Sequence, residues 1–287
     1  MVVTVPLLAI LRLAGHLTDP RLTDVEIHRI TGEPDRIGVP SAPRRQLTVV
    51  TWNIDRGRHF DRIAGRLHAL GADIVLLQEA DRFCRRSGAR DVARDLADAL
   101  GMNWVAAGEF QEIGEARGGV PAITGQAILS RQPITDPAVI VFRDQTPFRW
   151  RFNPVQPRRG GRIALKARTA GALVYNVHIE SGGDDALRRS QVDEVLADAA
   201  HEQGGPVVIA GDFNNSAAAR PSLLTAMAIA TFTDALGNSS GQPTSIRHRH
   251  PIDGIFVRGG DTAGGHVERV ENASDHHLLR ATLSDRK

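Results

Sequence analysis

From residue 47 onward, the rhythm of apolar and polar positions names one element after another. Residues 47 to 54 are apolar and β-branched, the signature of a buried strand. Residues 60 to 70 set Ile63, Leu67 and Leu70 at helical spacing and stop at Gly71. A second buried strand is predicted over 73–78, and a helix over 90–100 that ends at Gly101. Residues 127–130, 162–168 and 172–179 read as strands. The longest helix is predicted over 184–201, with Leu187, Val192, Val195 and Leu196 on its inner stripe. Strands over 207–210, 252–257 and 278–283 and a helix over 222–230 complete the series. Several strands follow one another with no helix between them. That pattern predicts an α/β fold with a mixed sheet, or two packed sheets with helices outside, rather than a simple doubly wound sheet.

Two stretches break the rhythm. Residues 1–46 read as an N-terminal extension and linker, with turn chemistry at 31–35 and 39–45, ahead of a catalytic domain over 47–287. Residues 1–14 are apolar, but Arg12 interrupts them, no cationic start precedes them and no clear cleavage site follows. A short packed helix or a loose lead is expected there, with no stable membrane insertion and a cytoplasmic location. Residues 143–162 mix Arg, Pro, Gly and aromatics, and read as a long functional loop.

Composition narrows the partners. The formal net charge is only +2, from 35 basic and 33 acidic residues, so attraction to phosphate has to be local. A single cysteine, Cys84, rules out an internal disulfide framework and argues against a thiolate zinc site. Its neighbours Arg82, Arg85 and Arg86 could lower its pKa, although an incidental cysteine is the expectation.

The chemistry collects where predicted strands end. Asn53 and Asp55 close one strand, Gln78 and Glu79 the next, His178 and Glu180 a third, Asp212 and Asn214 a fourth. Asp253 opens a strand, and Asp275 and His276 precede the last. In open α/β structures sites gather at one edge of the sheet, so these clusters predict one shared site. Glu79, with Asn53 and Asp55, offers hard oxygen ligands suited to Mg²⁺ or Mn²⁺. Such an ion polarises a phosphoryl oxygen. Asp212 suits a water-activating base, and Asn214 an amide that holds the phosphate or the water. Asp253 suits a partner that fixes the tautomer of His276, and His178 a donor to the phosphorane or leaving group.

These segments resemble the endonuclease/exonuclease/phosphatase superfamily, the deoxyribonuclease I-like fold. The matching stretches are 51–54, 77–79, 127–130, 176–178, 211–214, 252–256 and 274–276, in the family's order. The resemblance implies a four-layered α/β/β/α sandwich of two packed mixed sheets and a divalent-metal phosphoesterase. It also implies metal contact at Asn53, Glu79 and Asp275, and catalytic roles for His178, Asp212, Asn214, Asp253 and His276. Two residues depart from the pattern. Gln126 stands where Asn is common, and Gly254 where an aromatic is frequent, which is expected to leave one substrate wall open.

Substrate choice is read from the loops. Arg143, Arg149, Arg151, Arg158, Arg159 and Arg162, with Phe148, Trp150 and Phe152, suit a surface that tracks phosphates and stacks bases. They equally suit a solvated loop whose aromatics fold back on the core. Residues 247–250, Arg-His-Arg-His, read either as a second phosphate clamp or as a solvated hairpin tip. Hydrolysis of phosphodiesters in nucleic acid is the expected activity, with Arg158, Arg159 and Trp150 on the substrate. A phospholipid, sphingomyelin or inositol-phosphate head group is the alternative, and a silent binding module a further one.

Overall fold

The computed structural model of the chain describes residues 21–37, 46–146, 156–202 and 204–284. The first elements are α1 (Asp24–Ile27), β1 (Ile30–Glu33), β2 (Gln46–Asn53), α2 (Phe60–Leu70), β3 (Ile74–Arg82), α3 (Val92–Leu100), β4 (Asn103–Glu112) and β5 (Ile123–Ser130). Then come β6 (Ile134–Val141), β7 (Arg158–Gly160), β8 (Ile163–Thr169), β9 (Ala172–His178), α4 (Asp185–Ala200), β10 (Val207–Asp212) and α5 (Arg220–Ile229). The chain closes with β11 (Thr233–Asp234), β12 (Asp253–Arg258), β13 (Asp261–Glu268) and β14 (Leu278–Ser284). Among the described residues, no helix is long and apolar enough to cross a membrane. Residues 1–14 lie outside the described ones.

Two mixed sheets stack face to face. One runs β1-β4-β5-β3-β2-β14-β13 with β7 beside β4, and the other β11-β12-β10-β9-β8-β6. The two-residue period of a strand decides which side chain goes to which layer. Val49, Ile74 and Leu76 share an inner core with Val174, Val208 and Ala210, between the sheets. Their neighbours Val50, Val75 and Leu77 face the other way, onto Ile63 and Leu67 of α2 and Leu96 of α3. On the opposite side Tyr175, Val207 and Ile209 pack with Val192 and Val195 of α4 and Met227 of α5. This is the four-layered α/β/β/α sandwich. The helices stop where expected: Gly71 and Gly101 take the left-handed conformation that ends α2 and α3.

At one edge the inner stripe turns from apolar to polar. Val49 is followed at two-residue steps by Thr51 and Asn53, Val174 by Asn176 and His178, and Val208 by Ala210 and Asp212. The registers align these ends, with Asp212 opposite His178 on one side and opposite Asp253 on the other.

Several elements are not predicted by the apolar pattern. Strand β4 carries Gly108 and a register shift between Gly108 and Phe110, which breaks its alternation. Strand β6 holds Pro137, tolerated because it lies at a sheet edge. Residues 30–33, expected as part of a linker, pair with β4 as β1, and Ile27 of α1 is fully buried. Strand β3 does not end at Gln78. It runs on to Arg82 through a register shift between Leu77 and Ala80, with Glu79 at a φ of 54°. Of the long loop expected over 143–162, residues 158–160 form β7, while Trp150 and the other residues from 147 to 155 lie outside the described ones.

One buried amide joins the sheets. Asn176 Nδ2 donates to the carbonyls of Leu77 (2.8 Å) and Ala127 (2.9 Å) on the opposite sheet. Its Oδ1 accepts from Gln78 Nε2 at 2.6 Å, and Gln78 also donates to Thr51 Oγ1 at 3.0 Å. Removing this amide leaves buried groups without partners. Asn176→Ala is expected to lower the free energy of unfolding by about 3 kcal/mol, read from urea denaturation. A loss below 1 kcal/mol, allowing for the usual ~1 kcal/mol of a single neutral hydrogen bond, would show that water replaces it.

Candidate active site

The polar ends converge on Asp212, which is 1% exposed. Asn53 Nδ2 donates to its Oδ2 at 3.1 Å, and the Asn214 backbone N–H donates to its Oδ1 at 2.9 Å. Two imidazoles face the same carboxylate, with Nε2 of His178 at 3.6 Å and Nε2 of His276 at 3.8 Å. Burial and the neighbouring Asp253 carboxylate push Asp212 above the usual range for Asp. A carboxylate in that position takes a proton more readily than one in water.

Each imidazole has its own acid behind it. His276 Nδ1 lies 3.0 Å from Asp253 Oδ2 and 3.2 Å from Oδ1. Burial alone would discharge His276, but Asp253 and Asp212 outweigh it and push its pKa up to about 10. Nδ1–H then points at Asp253, while Nε2 stays 3.8 Å from Asp212, beyond hydrogen-bond distance. His178 Nδ1 lies 3.3 Å from Glu109 Oε2. Glu109 is fully buried and accepts from Gln126 Nε2 at 2.9 Å and Arg162 Nη1 at 3.0 Å. Burial opposes its ionisation, yet His178 and Arg162 prevail and lower its pKa.

The backbone is held as firmly. Trp52 Nε1 donates to the carbonyl of His276 at 2.9 Å, and Ser274 Oγ donates to that of Asn53 at 2.6 Å. Thr244 Oγ1 accepts from the amides of Ile252 and Asp253 at 3.0 and 3.1 Å, which fixes the start of β12.

A second group of acids sits beside this one. The bulge in β3 carries Glu79, whose Oε2 is 3.6 Å from Arg56 Nε. Burial opposes its charge, but Arg56, His178, Arg162 and His276 hold its pKa down to about 2. Asp55 is raised, first by burial and then, against Arg58, by the charges of Asp275 and Glu79. Asp55 thus meets the like charge of two further carboxylates, which a hard cation would relieve. Asn53 bridges the two groups, because its Oδ1 accepts from the Asp55 backbone N–H at 3.2 Å. Ligand atoms of Asp212, Asp253 and His276 also lie within 4.8 Å of one another and could take a cation. There the imidazolium already supplies the positive charge, so the open carboxylates are the better-fitting donors.

Some expected residues stand elsewhere. Asn214 is anchored beside Asp212, with Nδ2 donating to the Ile179 carbonyl at 2.9 Å. Arg158 lies in β7 with its guanidinium over the Phe110 ring at 3.9 Å, where burial and Arg162 push its pKa down to about 10. Arg159 is half-buried in the same strand, and Trp150 lies outside the described residues. Arg162 is buried against Glu109 and tracks no surface. Gly254 does not open a wall. A Cβ there would meet the Phe256 ring at 2.7 Å, because Phe256 and Phe213 stack edge to face beside it. Cys84 is buried, and burial raises its thiol pKa, so the neighbouring arginines do not activate it. Residues 247–249 are exposed, on a loop tied to the site by the Ser245–His276 bridge. Glu109 is the functional residue the sequence reading missed. Its signal was a lone acid after Gly108 inside an unrecognised strand.

Comparisons with known proteins bear on the family and the fold. The Endonuclease/Exonuclease/phosphatase family model matches residues 50–276. An endonuclease/exonuclease/phosphatase structure from Beutenbergia cavernae superposes with a TM-score of 0.63 at 23% identity, covering 84% of this chain and 72% of that one. A protein of unknown function from Enterococcus faecalis gives 0.59 at 19% identity, covering 84% and 100%. A mannosyl-6-phosphatase from Bacteroides thetaiotaomicron gives 0.56 at 20% identity, covering 83% and 99%. None of the curated proteins matches this chain in sequence.

Glu109→Gln keeps the shape of the pair behind His178 and removes its charge. Turnover is expected to fall about 100-fold, and unfolding free energy by about 3 kcal/mol because Arg162 loses its buried partner. Steady-state kinetics and urea melts read the two effects; an unchanged kcat would deny Glu109 any part in positioning His178.

Proposed function

This chain belongs to the endonuclease/exonuclease/phosphatase family, and on that premise we propose that it is a divalent-metal-dependent phosphodiesterase that hydrolyses nucleic acid. The convergence of Asp212 with the His276–Asp253 and His178–Glu109 pairs, beside the acids at Glu79, carries the reading. Asp212, its pKa raised, accepts the proton of an attacking water. Asn53 holds that carboxylate in place through Nδ2. His276, charged and fixed by Asp253, donates Nε2–H to a phosphate oxygen and offsets charge as the phosphorane forms. His178, backed by Glu109, faces the same point and serves the leaving oxygen.

Glu79 and Asp275, with Oδ1 of Asn53 and the nearby Asp55, are the residues that would hold Mg²⁺ or Mn²⁺; all are hard oxygen donors. When bound, such a cation polarises the phosphoryl oxygen. Nucleic acid is favoured over other phosphate esters because the loop tied to His276 carries exposed Arg247 and Arg249.

Two outcomes are expected. Saturating Mg²⁺ should raise the free energy of unfolding by about 2–3 kcal/mol in the wild type and far less in Glu79→Gln, measured by thermal melts. Hydrolysis of bis-p-nitrophenyl phosphate should require the metal and drop about 1,000-fold in Asp212→Ala. Metal-independent turnover would sink the mechanism. In a panel of single-stranded DNA, duplex DNA, RNA, sphingomyelin, inositol phosphates and hexose 6-phosphate, preference for a lipid head group or a sugar phosphate would sink the substrate assignment.

A further inference from the structure

Beside the acid mouth lies a cavity of about 220 Å³, lined by Arg56, Arg58, Arg85 and Arg86 and by Glu112 and Glu115. It adjoins the catalytic cleft, because Arg56 lines it and also reaches Glu79. Its two carboxylates are already committed. Glu112 is buried, accepts from Gln156 Nε2 at 3.0 and 3.1 Å, and lies 3.3 Å from Arg86 Nη2. Glu115 accepts from the Arg86 backbone N–H at 3.0 Å. Arg86 is committed too, with Nε and Nη2 each donating to Asp81 at 2.8 Å. These groups build the wall.

Arg58 and Arg85 are different. Arg58 has a side chain 41% exposed and, among the described residues, a 3.6 Å ion contact to Asp55. Arg85 is exposed and makes one side-chain hydrogen bond, from Nη2 to the Gly114 carbonyl at 3.1 Å. A guanidinium carries five N–H groups, so both keep donors in the fork geometry that matches phosphate. The volume exceeds several times the roughly 30 Å³ that one water takes up in the liquid, so a phosphate group enters without displacing protein. The cavity also continues. An adjoining depression of about 370 Å³ shares Arg58 and Arg86 and adds Arg62 and Arg90. A lone phosphate monoester needs one basin. Two basins that share arginines suit successive phosphates of one strand.

We infer that this arginine-lined trench binds the nucleic-acid strand through a phosphate adjacent to the scissile one. The inference rests on the phosphodiesterase reading above and deepens it by locating part of the strand's path. Arg85 touches neither the reacting groups nor the acids that would hold the metal, so it acts in binding alone, whereas Arg58 also faces Asp55.

The test is the variant Arg85→Ala, with Arg85→Lys beside it. Binding of a fluorescent, phosphorothioate-linked single strand is measured by anisotropy across a salt series, and bis-p-nitrophenyl phosphate turnover is followed in parallel. The alanine variant should bind about 10-fold more weakly, and its log K against log salt slope should flatten by about 1, as expected for one lost phosphate contact. The lysine variant should keep most of the slope, because it keeps the charge. Turnover of the small diester should be unchanged, which also shows that the variants fold. If the wild type cleaves the diester while the alanine variant binds the strand with wild-type affinity and slope, the trench is overturned and the phosphodiesterase stands. If the wild type fails to cleave the diester yet binds the strand through Arg85, the trench stands and the proposed activity falls.

Discussion

The side chains of the candidate site are split between two sheets, so the site exists only while one sheet is held at a fixed offset from the other. Hydrophobic packing between them is strong but tolerates sliding, because it has little direction. Hydrogen bonds do not slide. The Asn176 carboxamide reaches two carbonyls across the interface and receives Gln78 from it. Asn53 donates to Asp212 across the same gap, and Trp52 ties down the backbone of His276. These directional bonds stand at the edge where the inner core gives way to the cleft. The register that places Asp212 between two imidazoles depends on them.

Charge is arranged asymmetrically around that register. On the Asp212 side each acid faces a partner, Asp253 with His276 and Glu109 with His178 and Arg162. That side is close to balanced without help, as buried ionic groups have to be. On the Glu79 side, Asp55 meets the like charges of Asp275 and Glu79, while Arg56 and the neighbouring cations hold Glu79 ionised. Ionised hard oxygen donors of that kind are what a divalent cation would suit. Beyond Arg56 the sign reverses into the arginine-lined trench. A phosphate strand would therefore meet cations outside, a metal at the acids, and proton-handling groups at the centre.

Much of this could be read along the chain, and the reason is local. Alternation with a period of two sorts each strand into an inner and an outer face. When Asn53, His178 and Asp212 appear on the inner stripe after Val49, Val174 and Val208, burial has to end there or find partners. The glycines after Leu70 and Leu100 stop their helices for equally local reasons. Other features escaped because they depend on pairing. Strand β4 has no clean alternation, so Glu109 has no visible place until β5 and β7 flank it. Strand β1 is too short and polar to announce itself, and it holds its place by pairing with β4.

By itself, then, the sequence determined the layers and the edge at which the chemistry gathers, since both follow from which residues have to leave water. Tertiary structure alone decided how the groups are aimed. The bulge at Glu79 turns that carboxylate to the mouth instead of leaving it to follow the pleat, and it exists because β5 supplies one residue opposite two. Arg158 and Arg162 look like surface cations in the chain and become supports against Phe110 and Glu109 once β7 and β8 are seated. A helix and a strand separate Arg58 from Arg85 and Arg86, and only folding brings them around one cavity. Strand and helix periods act over a few residues, while charge acts through space, so its partners stay hidden until the chain has closed on itself.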